Sequence, residues 1–315
     1  MKLFFNWQRP LILNKKFVYR AYHALDVNMK VNYQRPIKTQ LKIAFRITVA
    51  SAFFVVLLFN NPAFAGALPV RKGKLRLAVS STYFIAYSYW DKNGKLISFP
   101  LNGHFSALGL VALAEYGLSK RWTAVAQLPY NYVQQSFTNG KISASGFGDA
   151  EAGLRYYLAN INFKYFFAVQ GSVVAPLYNT PLLGYRSLGD DFKLSAFETG
   201  NMGSHSYYTT AEVGVTQYFD KIGPLQYKYS GAIGYVLDKH DQIALGVGGT
   251  ISHSINKSFS ADLIQNRDFY FHLVSINYGY TVNRNMSLFA GVSQLYAGQN
   301  TGKGTDISLS VNIRY

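Results

Sequence analysis

Apolar and polar residues alternate along most of the chain after residue 66, in segments of roughly ten residues separated by turn-forming residues. The alternation is strictest in residues 306–315, which read DISLSVNIRY and end on Tyr315. A period of two gives a strand one apolar face and one polar face. Segments of this length can cross a bilayer as strands, and spanning strands must close so that no edge stays unpaired. The pattern therefore predicts an all-β protein, a transmembrane antiparallel up-and-down β-barrel.

Twelve segments carry this pattern, so we predict about twelve strands. An even number places both termini on the periplasmic side. The predicted strands are 74–90, 105–116, 122–135, 148–158, 163–176, 206–219, 225–237, 242–253, 258–265, 269–280, 286–296 and 306–315.

The connections between these strands differ in length. Tight turns at 117–121, 159–162, 220–224, 255–257 and 281–285 are expected on the periplasmic side, because barrels join strands there by short turns. The longest connection, 177–205, contains seven large apolar residues. Such a surface is unfavourable in water, so we expect this segment to cap the barrel or fold into it. The seven are Leu182, Leu183, Tyr185, Leu188, Phe192, Leu194 and Phe197.

If the apolar faces contact lipid, the polar faces line the lumen. Asp149, Glu151 and Arg155 share one face of a predicted strand, and buried charges need partners. We therefore predict that these three form one inward network, which either sets the selectivity of a pore or fills a narrow barrel. The simpler interpretation is that the three charges neutralise one another and fill a narrow barrel. Further inward charges are Lys164, Glu212 and Lys228.

The inward face also carries apolar residues, which would suit a hydrophobic solute or would simply pack inside the barrel. These are Phe84, Val125, Phe166, Phe271, Leu273, Phe289 and Leu295.

The first 65 residues differ from the rest. Residues 1–46 hold ten Lys or Arg and a single acid, and an uncharged apolar run follows at 47–59. Ala63-Phe64-Ala65 then matches an A-x-A cleavage site, which completes the pattern of a secretory signal peptide. We predict cleavage after Ala65, a mature barrel of residues 66–315, and Met29 as an alternative start. Export argues against a nucleic-acid partner despite the net charge of +16.

The sequence offers little support for a catalytic site or a cofactor-binding site. The chain has no Cys and six scattered His, so no metal-ligand spacing occurs. The glycines of 246–249 lie within a strand and lead to no helix, which excludes a phosphate loop. His205, with Ser204 or Ser206 and with Asp190 or Asp191, is the best candidate for a lipid hydrolase at the barrel rim. Neighbours on a strand point to opposite faces, however, so we predict no enzyme, no catalytic site, no metal and no cofactor.

Three stretches resemble the outer-membrane family named for the meta-pathway of phenol degradation. They are EYGLSKRW at 115–122, LPY at 128–130 and GFGDAEAGLRY at 146–156. The resemblance is clearest over 73–176. It implies an outer-membrane barrel that acts as a transporter, with aromatic compounds among the solutes of some members.

We therefore expect a bacterial outer-membrane barrel that acts as a passive channel or transporter for small solutes, apolar and aromatic ones included. The alternative is a structural or surface-interaction barrel with a plugged lumen, and the third is the rim hydrolase. The expected partners are outer-membrane lipids, a small apolar solute and the barrel-assembly machinery. That machinery would recognise the C-terminal strand through Ile313 and Tyr315.

Overall fold

The computed structural model describes residues 67–260 and 263–315. The predicted signal peptide, the start at Met29 and the cleavage site at Ala63 and Ala65 lie outside these residues. Among the described residues, no helix is long and apolar enough to cross a membrane.

Fourteen strands occur in the described part of the chain, and twelve of them form a closed antiparallel barrel, which confirms the predicted fold class. Each barrel strand pairs with its neighbours in chain order, and β14 returns to β1 with Leu77 opposite Ile313. The strands are β1 (Leu75–Trp90), β2 (Leu96–Ser98), β3 (His104–Gly117), β4 (Trp122–Phe137), β5 (Gly140–Phe147), β6 (Asp149–Ile161), β7 (Tyr165–Pro176), β8 (Gly189–Met202), β9 (His205–Tyr218), β10 (Leu225–Val236), β11 (Asp241–His253), β12 (Phe269–Asn283), β13 (Met286–Gln299) and β14 (Thr301–Arg314).

Two strands lie outside the barrel ring. β2 pairs with the end of β1, and β5 pairs only with β4. β5 and β6 follow each other along the same strand, β4, but the register shifts by one residue between them, from Tyr130 opposite Phe147 to Gln127 opposite Glu151. Gly148 occupies this bulge, and its N–H donates to the Pro129 carbonyl at 2.9 Å. Because side chains alternate faces, the bulge reverses which residues of β5 and β6 face inward.

The two ends of the barrel differ in their connections. At one end, here called the turn end, all links between strands are short, for example residues 203–204 between β8 and β9. The chain also enters β1 and leaves β14 there, and the Tyr315 N–H donates to the Leu75 carbonyl at 2.8 Å. At the other end, the loop end, Asn300 alone joins β13 to β14, but the other connections are longer. They include 91–103, 177–188 and 254–268.

One predicted strand and part of one predicted loop need correction, although the number twelve is right. Residues 189–202, predicted as part of a loop, form β8, whereas the predicted strand 258–265 contains a short 3-10 turn at Leu263–Gln265 and no strand in its described residues. The alternation in β8 is masked by Asp190 and Glu198, which lie on the lipid-side face near the strand ends, and by inward Phe197. β8 precedes β9, β10 and β11, whereas the strand predicted at 258–265 would have followed them. These three strands therefore run in the direction opposite to the predicted one. The tight connections at 220–224 and 255–257 consequently lie at the loop end.

The outward face of the barrel is apolar. Val79, Val173, Leu245 and Val247 are all more than half exposed in the isolated chain, as expected for side chains that contact lipid. Small polar residues occupy the inward face instead, and Ser80, Ser308 and Ser310 are almost fully buried there. This distribution is that of a membrane barrel, because a soluble barrel would bury its apolar face.

Candidate functional site in the barrel lumen

A buried cluster of charges lies on the lumen wall near the turn end. Glu115 on β3 is 1% exposed and forms ion pairs with Arg76 on β1 and Arg155 on β6. The Arg155 Nη1 lies 2.6 Å from Glu115 Oε1, and its Nε and Nη2 donate to Gln170 Oε1 at 3.0 and 2.7 Å. Gln170 in turn donates to Ser172 at 3.0 Å. We call Arg76, Glu115 and Arg155 the turn-end cluster. It connects three strands of the wall.

A second group of charges lies on β6, β8 and β10. The ammonium group of Lys193 is 3.0 Å from both Glu151 Oε2 and Asp191 Oδ2. The other oxygen of Asp191, Oδ1, accepts a hydrogen bond of 2.6 Å from Thr216, and Lys228 Nζ lies 4.0 Å from the same oxygen. Lys193 is therefore held between two carboxylates, whereas Lys228 lies near one and keeps about a third of its side chain exposed.

A central cavity of about 460 Å³ adjoins this group. Glu151, Lys193, Glu212 and Lys228 line one wall. The cavity exists because glycines replace side chains at inward positions of neighbouring strands, namely Gly214, Gly246 and Gly248. Phe271 and Leu273 of β12 form an apolar wall.

Glu212 differs from the other charged residues of the cavity. Its Oε2 accepts a hydrogen bond of 2.8 Å from Ser195. Within the described residues, no Lys, Arg or His nitrogen lies within 4.0 Å of its carboxylate. It is a lumen carboxylate whose charge is not matched by a cation.

The loop end is covered by residues 177–188, here called the mouth loop. Tyr178 donates to Asp149 Oδ1 at 2.7 Å, and Tyr218 of β9 donates to the other oxygen of that carboxylate at 3.0 Å. Tyr185 donates to the Asn266 carbonyl at 3.0 Å and accepts from Gln226 at 3.2 Å. The mouth loop thus contacts both the barrel wall and the connection 254–268.

Apolar residues from three loops complete the closure. Phe99 and Leu183 are buried against Phe105 and Val133 on the inward faces of β3 and β4. Leu263 and Ile264 pack at the edge of this cluster. The apolar residues of the predicted long loop are therefore divided: Leu183 belongs to the cap, whereas Phe192 and Leu194 belong to β8 and point outward, with about half of each side chain exposed.

The hydroxyl groups of the mouth loop remain protonated over a wide pH range. Burial, reinforced by the hydrogen bond to Asp149, raises the pKa of Tyr178 above its ordinary value. Burial likewise raises the pKa of Tyr185. Each tyrosine therefore stays a hydrogen-bond donor at neutral and moderately basic pH.

The structure separates the three residues that the sequence predicted as one network. Asp149 binds tyrosines at the loop end, Glu151 pairs with Lys193, and Arg155 pairs with Glu115. The strand runs along the lumen wall, so residues on one face lie at different depths and meet different neighbours. Glu212 and Lys228 both line the central cavity.

Lys164 does not join these lumen groups. It precedes β7 at the turn end and pairs with Glu198 at 3.2 Å. Glu198 lies on the same face of β8 as Phe192 and Leu194, which is the lipid side. The prediction of an inward Lys164 applied strand alternation to a residue that lies in a turn.

Several residues that make the lumen contacts were not predicted as site residues, among them Glu115, Tyr178, Tyr185, Asp191 and Lys193. A signal existed for Glu115, because it precedes the outward Tyr116 and alternation then requires it to face inward. Asp191 and Lys193 alternate with Phe192 and Leu194, but β8 was not recognised as a strand. The contacts of Tyr178 and Tyr185 depend on loop conformation, for which the sequence carries no periodic signal.

The catalytic constellation considered for a hydrolase is not assembled. His205 begins β9 at the turn end, next to Tyr235 with ring centres 5.3 Å apart. Asp190 and Asp191 lie near the opposite end of β8, twelve residues along the strand from Met202, or about 40 Å. In the part of the chain that the structure describes, no three His, Asp or Glu residues are grouped so that they could hold a metal.

Comparison with solved structures gives relatives in fold. The COG4313 outer membrane channel from Pseudomonas putida F1 superposes with a TM-score of 0.61 at 16% identity, covering 81% of this chain and 100% of that one. The beta domain of the Bordetella autotransporter BrkA superposes with a TM-score of 0.50 at 12% identity, covering 78% and 100%. Scans against protein-family models and curated sequences gave no match. The fold is therefore that of bacterial outer-membrane barrels, and the resemblance to the phenol-degradation family stays a prediction.

The closed barrel, its apolar exterior and these fold relatives together locate the protein in the bacterial outer membrane.

Proposed function

We propose that this barrel is a gated passive channel for small solutes. The observation that carries the proposal is the combination of a 460 Å³ cavity in the lumen with a cover built from a loop. A cavity of this size falls in the range that accommodates small organic molecules. The loop is held by a few hydrogen bonds and apolar contacts, so it can move without breaking a strand pairing.

The mixed lining of the cavity supports small solutes over macromolecules. Charged groups on one wall face Phe271 and Leu273 on the other, so a solute with both polar and apolar parts finds partners on both sides. In this proposal the loop end faces the exterior, because barrels carry their longer loops there. The resemblance to the phenol-degradation family and the channel to which the chain is similar in fold both agree with it.

Conductance in planar bilayers tests the proposal. The full-length protein is compared with a variant in which residues 179–186 are replaced by a short Gly-Ser linker. This replacement leaves β7 and β8 intact, whereas a deletion that continued beyond residue 188 would cut into β8. We expect low or intermittent conductance from the wild type and a sustained conductance from the shortened variant. A matched control replaces Tyr132 by Phe, because its hydroxyl bonds Gln134 on the lipid side and is unrelated to the cover.

A structural barrel with a plugged lumen is the competing function, and the buried cluster around Phe99 and Leu183 favours it. Absence of conductance in both forms, together with no uptake of small neutral solutes by liposomes, would support that function and contradict the channel.

We also propose that the barrel-assembly machinery recognises the C-terminal strand. Ile313 is the last outward-facing residue of β14, and Tyr315, which follows the strand, is 63% exposed. Deletion of Tyr315 should lower the amount of heat-modifiable barrel in the outer membrane, as measured by a shift in gel mobility between boiled and unboiled samples. An unchanged amount would contradict this role.

A further inference from the structure

We infer that the central cavity is a binding site for a small organic cation, an ammonium group attached to an apolar body, and that Glu212 is its anchoring residue. The inference rests on the proposed channel function for its biological use but not for the binding itself. It follows from the charges of the cavity, from their pairing and from the shape of the opposite wall.

The charges of the cavity do not cancel. Three carboxylates, Glu151, Asp191 and Glu212, lie on or directly behind its charged wall, against two ammonium groups, Lys193 and Lys228. Glu151 and Asp191 share the two lysines. The remaining negative charge is that of Glu212.

Glu212 lies close to both lysines along the sheet, yet neither pairs with it. Glu212 is opposite Ser195 on β8 and Ser230 on β10, whereas Lys193 and Lys228 are opposite Gly214. Each lysine is therefore a diagonal neighbour of Glu212, at a backbone separation of roughly 7–8 Å. Both ammonium groups turn to Asp191 instead, so the Glu212 carboxylate keeps one serine hydroxyl as its partner.

The room beside Glu212 is provided by missing side chains. Gly214 on the same strand and Gly246 and Gly248 on β11 all face the cavity. Across this room, Phe271 and Leu273 present an apolar surface. A ligand that fits has a cationic head at Glu212 and an apolar body against β12.

An anionic ligand is disfavoured by the same geometry. It would compete with carboxylates for both cations, because Lys193 is bound to two of them and Lys228 Nζ, although partly exposed, lies 4.0 Å from Asp191. Binding an anion would also bring a fourth negative charge into a cavity that already holds an excess of one, which has a cost in a low-dielectric interior.

The test uses three probes with one apolar body and different charges: cyclohexylamine, cyclohexanol and cyclohexanecarboxylate. Their binding to the full-length protein purified in detergent is measured by calorimetry and by ligand-observed NMR. A charge-assisted hydrogen bond in a buried site should make the amine bind about ten- to a hundredfold tighter than the alcohol. The carboxylate should bind weakest.

Two variants separate the role of Glu212 from a general effect. Glu212→Gln should reduce amine binding to the level of the alcohol and leave alcohol binding unchanged. Lys228→Met should preserve or strengthen amine binding, because it increases the negative excess. Glu198→Gln, a carboxylate on the lipid side of β8, is the matched control and should change nothing. A heat-modifiability gel verifies that each variant is a folded barrel.

The outcomes are decisive in both directions. Preferred binding of the carboxylate, its loss in Lys228→Met, or equal amine affinity in wild type and Glu212→Gln would overturn the cation site. Binding in detergent requires no transport, so amine binding that depends on Glu212 stands even if bilayers show no conductance. Conductance without any preference for the amine would overturn the site and leave the channel standing.

Discussion

The two ends of the lumen are both held by polar contacts, but of different kinds. The turn-end cluster joins strands to strands: Arg76, Glu115 and Arg155 come from β1, β3 and β6, and the central carboxylate is almost fully buried. The mouth loop is joined by tyrosine hydroxyls to the wall, from Tyr178 to Asp149, and to the connection 254–268, from Tyr185 to Asn266. Contacts at the turn end thus stabilise the barrel itself, whereas contacts at the loop end stabilise the position of one loop. We therefore expect substitutions at the turn end to change the stability of the barrel and substitutions at the loop end to change the opening of the channel.

The largest effect is expected from Glu115→Gln. The substitution leaves two guanidinium groups facing each other in a buried site, and breaking a buried pair costs on the order of 3–5 kcal/mol. Unfolding in urea, followed by tryptophan fluorescence of the barrel in lipid vesicles, should show this loss. Changing Arg76, Glu115 and Arg155 all to Gln should be milder, because no unpaired charge remains. Equal stability of wild type and Glu115→Gln would remove the distinction between the two ends.

A smaller effect, of a different kind, is expected from Gly184→Ala. A methyl group at this position would collide with the Tyr178 hydroxyl, and the backbone φ of +154° is unfavourable for alanine. The mouth loop should therefore lose its closed position, and conductance should rise while the free energy of unfolding stays close to that of the wild type. Gly203→Ala is the matched control, since it also has a positive φ but no neighbour within 4 Å and lies at the turn end. A large loss of stability in Gly184→Ala would show that the loop is part of the barrel's core.

Removal of a single hydroxyl should act in the same direction with lower amplitude. Tyr178→Phe loses a hydrogen bond to a carboxylate, worth about 1.5–3 kcal/mol, so the open fraction of channels should rise by roughly ten- to a hundredfold. Single-channel recording measures this fraction directly. Tyr132→Phe should leave it unchanged, and an equal response of both variants would contradict a specific role for Tyr178.

The pH dependence of closure follows from the raised pKa of Tyr178. In the open state this hydroxyl has its ordinary pKa of 10.0, whereas burial raises the pKa in the closed state. The closed state is thus stabilised below pH 10 and loses this stabilisation as the pH rises above it. Between about pH 7 and 9 the tyrosine contribution to closure should be constant, and recordings above pH 10 should show more opening. In Tyr178→Phe this rise should be smaller, and the remainder should come from Tyr185, whose pKa burial also raises.

The smallest effect is expected from Lys164→Met. The ion pair with Glu198 lies at the surface, with 40% of the lysine side chain exposed, and such pairs contribute little. Neither the unfolding transition nor conductance should change measurably. A clear change would show that charge outside the lumen contributes to the stability of the barrel or to the opening of the channel.

Sequence alternation predicted the barrel, its number of strands and the inward face of β6, because a period of two is imposed by lipid on one side and by the lumen on the other. The prediction from alternation failed at residues that do not lie between lipid and lumen. β8 carries acids on its outward face near both ends, beyond the region where apolar side chains are required. Residues 258–265 alternate, but those of them that the structure describes form no strand. Alternation gives the face of a residue but not its depth, so it could not show that Arg155 meets Glu115 rather than Glu151.

The candidate site was predictable only in part for the same reason. Glu212 and Lys228 were placed on the inward face from their own strands. Which lysine neutralises which carboxylate depends on β8, which supplies Asp191 and Lys193, and on the register between strands. Neither is encoded in the periodicity of a single segment.

The bulge at Gly148 has a consequence for how this protein can change over time. Below it, β6 forms part of the lumen wall; above it, β5 pairs with β4 alone and its other edge carries no strand partner among the described residues. Since the register is reset at the bulge, an insertion or deletion near the tip of the β4–β5 ribbon does not alter which residues of β6 face the lumen. The ribbon can therefore diversify in length and sequence while Glu151 and Arg155 keep their positions.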